Sequence, residues 1–195
     1  MANDGDEQAT PATATAGPAG QVVVRPEQTE DFGAIRAVVV AAFEAESHGD
    51  LVEAIRASPG YRPELSLVAV ADGTVVGHVM VDGCVLRGEQ GDRSIVMLSP
   101  LAVAPAAQGH GIGTALVDAA LAAADAAGEP LVVLEGSPRF YGARGFEFAP
   151  GRGIRLHLPD WAPSEAAQVA VLSAYDPDDP TLRGEVIYPP AFDGL

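Results

Sequence analysis

One segment constrains this chain more than any other: Leu101-Ala-Val-Ala-Pro-Ala-Ala-Gln108-Gly109-His110-Gly111-Ile112-Gly113-Thr114-Ala115-Leu116. An apolar strand runs through three glycines into a helix. Leu116, Val117, Ala120, Leu121 and Ala124 share one face of that helix, Asp118 and Asp125 lie on the other, and Gly128 ends it. A further strand, Leu131 to Leu134, follows. Glycines at such a junction let the backbone approach a ligand closely and turn its N–H groups outward. The helix N-terminus adds about half a positive charge, so the junction suits a phosphate or pyrophosphate. A ligand-free glycine cap is the bland account, but three glycines cost helix stability without giving a reason for it. A dinucleotide fingerprint, G-x-G-x-x-G, fails in both registers, because Thr114 or Leu116 stands where the third glycine belongs. Only Glu135, at the end of the next strand, sits where a ribose-binding acid would.

Around this junction the chain reads as one α+β domain (α/β three-layer type), a mixed sheet with flanking helices. Order is expected from residue 21 to 195. Residues 1–20, polar and alanine-rich with Pro11 and Pro18, read as a disordered tail. Gln21 to Arg25 is a short strand closed by Pro26. Phe32, Ile35, Val39, Ala42 and Phe43 recur at helical spacing with Thr29 as cap, and a second helix spans about Asp50 to Ala57. Asp72-Gly73 between two apolar runs, Leu65–Val70 and Val75–Val81, predicts a hairpin. Gly88 to Gly91 is a turn. The strand Ile95–Val103 is interrupted by Pro100, which implies a bulge or an end of pairing. Two last strands are expected, around Ile154–Leu158 and Val169–Ala174.

Composition removes whole classes of function. All 11 basic residues are arginine, so the chain has no lysine for a Walker loop, a Schiff base or a kinase strand. The single cysteine, Cys84, excludes an internal disulfide and any cysteine-built zinc site, and reads as a core residue. A net charge of −16 disfavours nucleic acid and anionic membrane as partners. It fits a cationic substrate, although solubility alone is the plainer account. No apolar run reaches membrane-span length and no secretory signal is visible, so the cytoplasm is the expected location.

Gln108-x-x-Gly111-x-Gly113, after a strand ending Leu101-Ala102-Val103, resembles the acetyl-CoA loop of the GNAT superfamily of N-acetyltransferases. Downstream, Phe140-Tyr141-Gly-Ala-Arg-Gly145-Phe146 is similar to that family's aromatic-tyrosine, three-residue, glycine-phenylalanine signature. The upstream order of strand, two helices, hairpin and long bulged strand also matches, so the resemblance covers about residues 21–150. Leu134-Glu-Gly-Ser-Pro-Arg-Phe-Tyr141 and Tyr188-Pro-Pro-Ala-Phe192 are similar to a bacterial subgroup of predicted acetyltransferases. The resemblance implies the acyl-CoA N-acyltransferase fold, with a mostly antiparallel sheet whose fourth and fifth strands splay at Pro100.

It also implies roles. Backbone N–H groups of Gln108, Gly109, His110, Gly111, Ile112, Gly113 and Thr114 would cradle the pyrophosphate of acetyl-CoA. Leu101, Ala102 and Val103 would run beside the pantetheine arm, with an N–H of Leu101 or Val103 polarising the acetyl carbonyl. Ser137 stands where the family commonly has an asparagine that contacts the coenzyme. Tyr141 would be the acid at the leaving sulfur, and an acceptor amine would attack the thioester directly, with no metal. Glu135 is the best-placed base, and a solvent-facing carboxylate accounts for it equally well. Glu44 and Glu46 are weaker candidates, and His48, His78 and His110 weaker still. The acceptor is expected to be a small-molecule or peptide amine, and a homodimer stays open. An acyl-CoA sensor without turnover and a nicotinamide enzyme are the alternatives.

Overall fold

The computed structural model describes residues 22–193, and the tail expected over 1–20 lies outside them. In chain order the elements are β1 (Val22–Pro26), α1 (Phe32–Phe43), α2 (Glu46–Arg56), β2 (Ser66–Ala71), β3 (Thr74–Gly88), β4 (Gly91–Val103) and α3 (Ile112–Ala126). There follow β5 (Leu131–Glu135), α4 (Pro138–Gly142), β6 (Glu147–Phe148), β7 (Ile154–Arg155), β8 (Ala167–Val171) and β9 (Gly184–Ile187). The strands form one mixed sheet in the order β1-β2-β3-β4-β5-β8-β6, with β9 beside β3 and β7 beside β9. Only β4–β5 and β7–β9 are parallel.

Strand alternation divides the sheet into two faces. On one, Val79 and Val81 of β3 and Leu98 of β4 meet Leu116, Val117, Ala120 and Ala124 of α3. On the other, Met80 packs under Ile35, Val39, Leu51 and Ile55 of α1 and α2. Further along that second face, Cys84, Leu86, Met97 and Val133 are covered by the C-terminal third of the chain. This is the three-layer arrangement expected from the sequence.

The functional geometry comes from one irregularity. Between Val79↔Leu101 and Val81↔Leu98, two residues of β4, Ser99 and Pro100, oppose the single Met80 of β3. Pro100 has no N–H to give a ladder, so pairing yields there. Beyond the bulge β4 stays with β3, while β5 stays with β8 as far as Glu135↔Ala167. The two strands touch only at Val96↔Val132 and Met97↔Val133, and then part. The splay expected at Pro100 is present.

Several element boundaries differ from the sequence reading. α2 begins at Glu46 rather than Asp50, and its Gly49 sits in the α1–α2 contact, where an added Cβ would lie 2.9 Å from Val40 Cγ2. Thr29 does not cap α1. A 3₁₀ turn intervenes, and Asp31 instead accepts the Gln28 N–H at 2.8 Å and the Arg25 guanidinium at 2.7 Å. β3 and β4 extend to a tight turn at Gly88–Gly91, closed by a bidentate Arg87–Asp92 pair at 2.9 Å. β7 is only two residues long, β8 starts at Ala167 rather than Val169, and β9 had no counterpart in the sequence reading.

α2 is pinned to the sheet by a buried polar network. Glu27 accepts from Arg56 at 2.8 and 2.7 Å and from Tyr61 at 2.7 Å, and its Oε2 lies 3.2 Å from His78 Nε2. Burial alone would raise the Glu27 carboxyl, but hydrogen bonds from Arg56, His78 and Tyr61 outweigh it and hold the group well below the usual range. Burial pushes His78 down against the pull of Glu27, so this histidine is a neutral member of the network rather than a titrating group.

Candidate active site

The glycine junction folds as its residues require. Gly109 and Gly111 have φ of 79° and 81°, left-handed conformations in which a side chain is strained, and Gly111 occupies the cap position of α3. The first backbone bond into the helix runs from Ala115 N–H to Gly111 O at 3.0 Å. The N–H groups of residues 109–114 meet no backbone carbonyl among the described residues, so they stay available to a ligand. Gln108 Nε2 donates to the Val103 carbonyl at 3.0 Å and ties the loop to the end of β4.

A cleft of about 430 Å³ opens in front of these groups. Leu101 and Val103 form one wall, the loop and the first turn of α3 a second, and Phe140 and Arg144 a third. Ala104 N–H donates to Val76 O at 2.9 Å, so alternation turns the main-chain groups of Ala102 toward β3. Those of Leu101 and Val103 then face away from β3, into the gap that β5 has left. The edge of β4 inside the splay is a strand edge without a partner strand. Arg144 brings the cleft its cation. Its guanidinium stacks on Phe140, 3.7 Å from the ring centroid, and its Nε donates to Thr114 Oγ1 at 3.1 Å.

Tyr141 stands at the mouth of the splay on the α3 face. Its ring lies between Phe140 and Phe146, with centroids 4.9 and 5.5 Å away, and rests directly on Gly136 at the end of β5. A Cβ on Gly136 would come within 2.3 Å of Tyr141 Cε2, so only glycine admits the ring there. Burial pushes the phenol up to about 12, and no hydrogen bond in the protein engages its hydroxyl among the described residues.

The opposite face carries a different set of groups. Leu131 and Val133 of β5 point to that face, so Glu135 does too. Glu135 itself is exposed at the strand end, as its solvent-facing reading expected; its carboxylate accepts a hydrogen bond from Tyr188 Oη, and partial desolvation raises its pKa against the lowering effect of that bond. Tyr188 belongs to a strap after β9, residues 188–192, whose Phe192 packs into both apolar clusters of this face. Asp82, between Met80 and Cys84 on β3, is 0% exposed and neither carboxylate oxygen has a hydrogen-bond partner among the described residues. Burial pushes it up to about 8. Ser99, in the bulge of β4, is half-buried.

Residues 23–149 match the family model described as the acetyltransferase (GNAT) domain. The chain belongs to the GNAT acetyltransferases. The GNAT family N-acetyltransferase YhbS of Escherichia coli, solved in complex with CoA, is 30% identical with a TM-score of 0.76, covering 92% of this chain and 96% of its own. A GNAT family acetyltransferase from Brucella melitensis, solved in complex with acetyl-CoA, is also 30% identical. Its TM-score is 0.70, over 88% of this chain and 98% of its own. The uncharacterized N-acetyltransferase YjhQ of E. coli K12 is 30% identical over 157 residues, 80% of this chain and 86% of its own.

In this GNAT chain, the loop residues predicted from sequence converge on the cleft: Gln108, Gly109, Gly111, Ile112, Gly113 and Thr114, with Leu101 and Val103. Three predicted residues do not line it. The Ala102 side chain is buried on the other face, His110 is exposed, and Ser137 caps α4, its carbonyl accepting from Phe140 and Tyr141 N–H at 3.0 Å. Glu135 and Tyr141 flank the end of β5 from opposite sides. Sequence reasoning missed Arg144, Gly136, Asp82 and the partnership of Tyr188 with Glu135. Arg144 was within reach, since it fills a variable position of the quoted Phe140-Tyr141-x-x-x-Gly145-Phe146 frame. Among the described residues, no group of three or more His, Cys, Asp or Glu could hold a metal ion, and no helix is long and apolar enough to cross a membrane.

Proposed function

We propose that this protein transfers the acetyl group of acetyl-CoA to a primary amine by direct attack on the thioester, in the cytoplasm. The observation that carries the reading is the splay itself: a phosphate-ready loop and an unpartnered strand edge on one side, a carboxylate on the other. Solved GNAT relatives that hold CoA or acetyl-CoA support it.

The pyrophosphate is cradled by the N–H groups of residues 109–114 and the positive end of α3, with Arg144 as countercharge. The pantetheine arm pairs with the open edge of Leu101 and Val103 as an added strand would. This puts the thioester in the gap between β4 and β5, where an N–H of Leu101 or Val103 polarises the acetyl carbonyl. The acceptor arrives from the opposite face as an ammonium ion. Glu135 takes one proton from it, and the freed nitrogen pair forms the C–N bond. As the tetrahedral centre collapses, the C–S bond breaks and the electron pair leaves on sulfur. Tyr141, its phenol held near 12, stays protonated and donates a hydrogen bond to that sulfur. A free thiol ionises near 8.5, so full transfer from the phenol is uphill and the sulfur takes its proton from solvent. The nitrogen sheds its second proton to solvent as the amide forms and Glu135 returns the first; with one proton taken up by the sulfur, the balance is one proton released per turnover.

The test is release of free thiol from acetyl-CoA in the presence of a panel of primary amines: a polyamine, an amino acid and a peptide with a free N-terminus. Amine-dependent release supports transfer. Binding of acetyl-CoA with no release for any amine would point to a sensor, and a thermal shift with NAD but not acetyl-CoA would overturn the donor assignment.

A further inference from the structure

The strap that follows β9 has no part in the cleft, yet its first residue makes a long-range contact with chemical consequence. β9 runs beside Val85–Arg87 of β3, and the chain then crosses the face opposite α3 toward α2. Tyr188 and Phe192 pack together there, with ring centroids 6.0 Å apart, and Ala191 and Phe192 reach the α1–α2 cluster. The strap thus lies over the mouth of the splay on the side where the acceptor enters. From it, the Tyr188 hydroxyl donates to Oε1 of Glu135, 53 residues away in sequence.

We propose that Tyr188 is a positioning residue of the transfer reaction: its hydrogen bond aims the Glu135 carboxylate into the splay and holds it in the form that accepts the acceptor's proton. The inference rests on Glu135 being the base. A carboxylate at a strand end can rotate freely about its side chain, and one bond to a packed phenol removes that freedom while leaving the second oxygen for the substrate. The bond also favours the charged form of this exposed carboxylate, against the partial desolvation that disfavours it. Among the described residues no other side chain hydrogen-bonds the Glu135 carboxylate and no cation pairs with it. The titratable neighbours there are Asp82 and Cys84 of β3, which have no positive form. β8 presents Ala167 opposite Glu135, and β4 presents Ser99. Tyr188 is itself held protonated by burial and by Glu135, so it acts as donor only.

The experiment uses the full chain and two readouts. The Glu135 carboxyl is titrated by carbon NMR with ¹³C-labelled glutamate, its signal identified as the one missing in Glu135→Gln. Tyr188→Phe keeps the ring and its packing and should raise the Glu135 midpoint by about one pH unit, a tenfold change in its proton affinity. With the best amine of the panel, the acid limb of kcat/KM should move up by the same amount, with KM for acetyl-CoA unchanged. An unmoved Glu135 midpoint, or a moved midpoint with an unmoved acid limb, would overturn the role of Tyr188. Failure of the base assignment shows separately, as Glu135→Gln retaining normal turnover.

Discussion

The two faces of the sheet at the splay are built on different principles. On the α3 face the groups left open are main chain: N–H groups of residues 109–114 without intrahelical carbonyls, and the edge of Leu101 and Val103. On the opposite face they are side chains from distant parts of the sequence, Glu135 of β5 and Tyr188 of the strap, with Asp82 of β3 buried beneath that face. The difference matches the two ligands proposed for them. A pyrophosphate and an extended amide arm can be bound by backbone dipoles, which hold position without conformational freedom. Moving a proton needs a titratable group, and its pKa must be set by neighbours. Substitutions on the two faces should therefore separate kinetically.

A large effect on turnover is expected at the mouth of the splay, on the α3 face. Tyr141→Phe deletes only a hydroxyl, and kcat should fall roughly 10²-fold, with KM for acetyl-CoA little changed, since that bond forms only as charge develops on sulfur. Near-normal kcat, with chemistry rate-limiting, would reduce Tyr141 to a packing residue beside Phe140 and Phe146. Next comes the loop. Gly111→Val puts a branched side chain at φ 81° and a Cβ in front of the phosphate site, and acetyl-CoA affinity should fall at least about tenfold while the fold persists. Wild-type binding in calorimetry would contradict the cradle.

Asp82 sharpens the comparison through stability rather than rate. In the folded protein its proton is held until about pH 8, whereas an unfolded aspartate loses it near pH 3.9. The folded state therefore binds the extra proton. This contribution is complete below about pH 4 and is lost as pH rises toward about 8, at about 1.4 kcal/mol per unit of pH across that span. Asp82→Asn removes the ionisation. The wild-type Tm should fall relative to the variant between about pH 5 and about pH 8, by an amount worth a few kcal/mol at the upper end. A Tm difference that stays level across that range would mean the carboxyl finds a partner in solution.

What was legible in the sequence follows the same division. The α3 face could be read because its function is carried by local backbone conformation, and glycine spacing reports that conformation directly. Gln108, Gly111 and Gly113 announced the loop, and Pro100 announced the bulge that opens the sheet. The other face could be read only in part, because Glu135 and the Tyr188-Pro-Pro-Ala-Phe192 segment stand out singly and nothing local shows that they meet. Asp82 lies in the apolar run Val79-Met-Val-Asp-Gly-Cys84 and reads as an ordinary hairpin residue until strand alternation turns it inward. Glu135 stands out as a candidate from its place at a strand end, but its partner is 53 residues away in a proline-rich segment with no periodicity. β9, which delivers that partner, is four residues long and follows a loop rich in proline and aspartate, so pairing with β3 rather than its own pattern makes it a strand.

The division of labour between the two faces is tested most directly by measuring the acetyl-CoA dissociation constant calorimetrically in Gly111→Val and Glu135→Gln, alongside amine-dependent thiol release. Glu135→Gln should bind acetyl-CoA within about twofold of wild type while losing roughly 10²-fold or more in turnover. Gly111→Val should lose at least about tenfold in acetyl-CoA affinity. If Glu135→Gln weakens acetyl-CoA binding as much as Gly111→Val does, or leaves turnover intact, donor binding and proton transfer are not divided between the faces and the account is wrong.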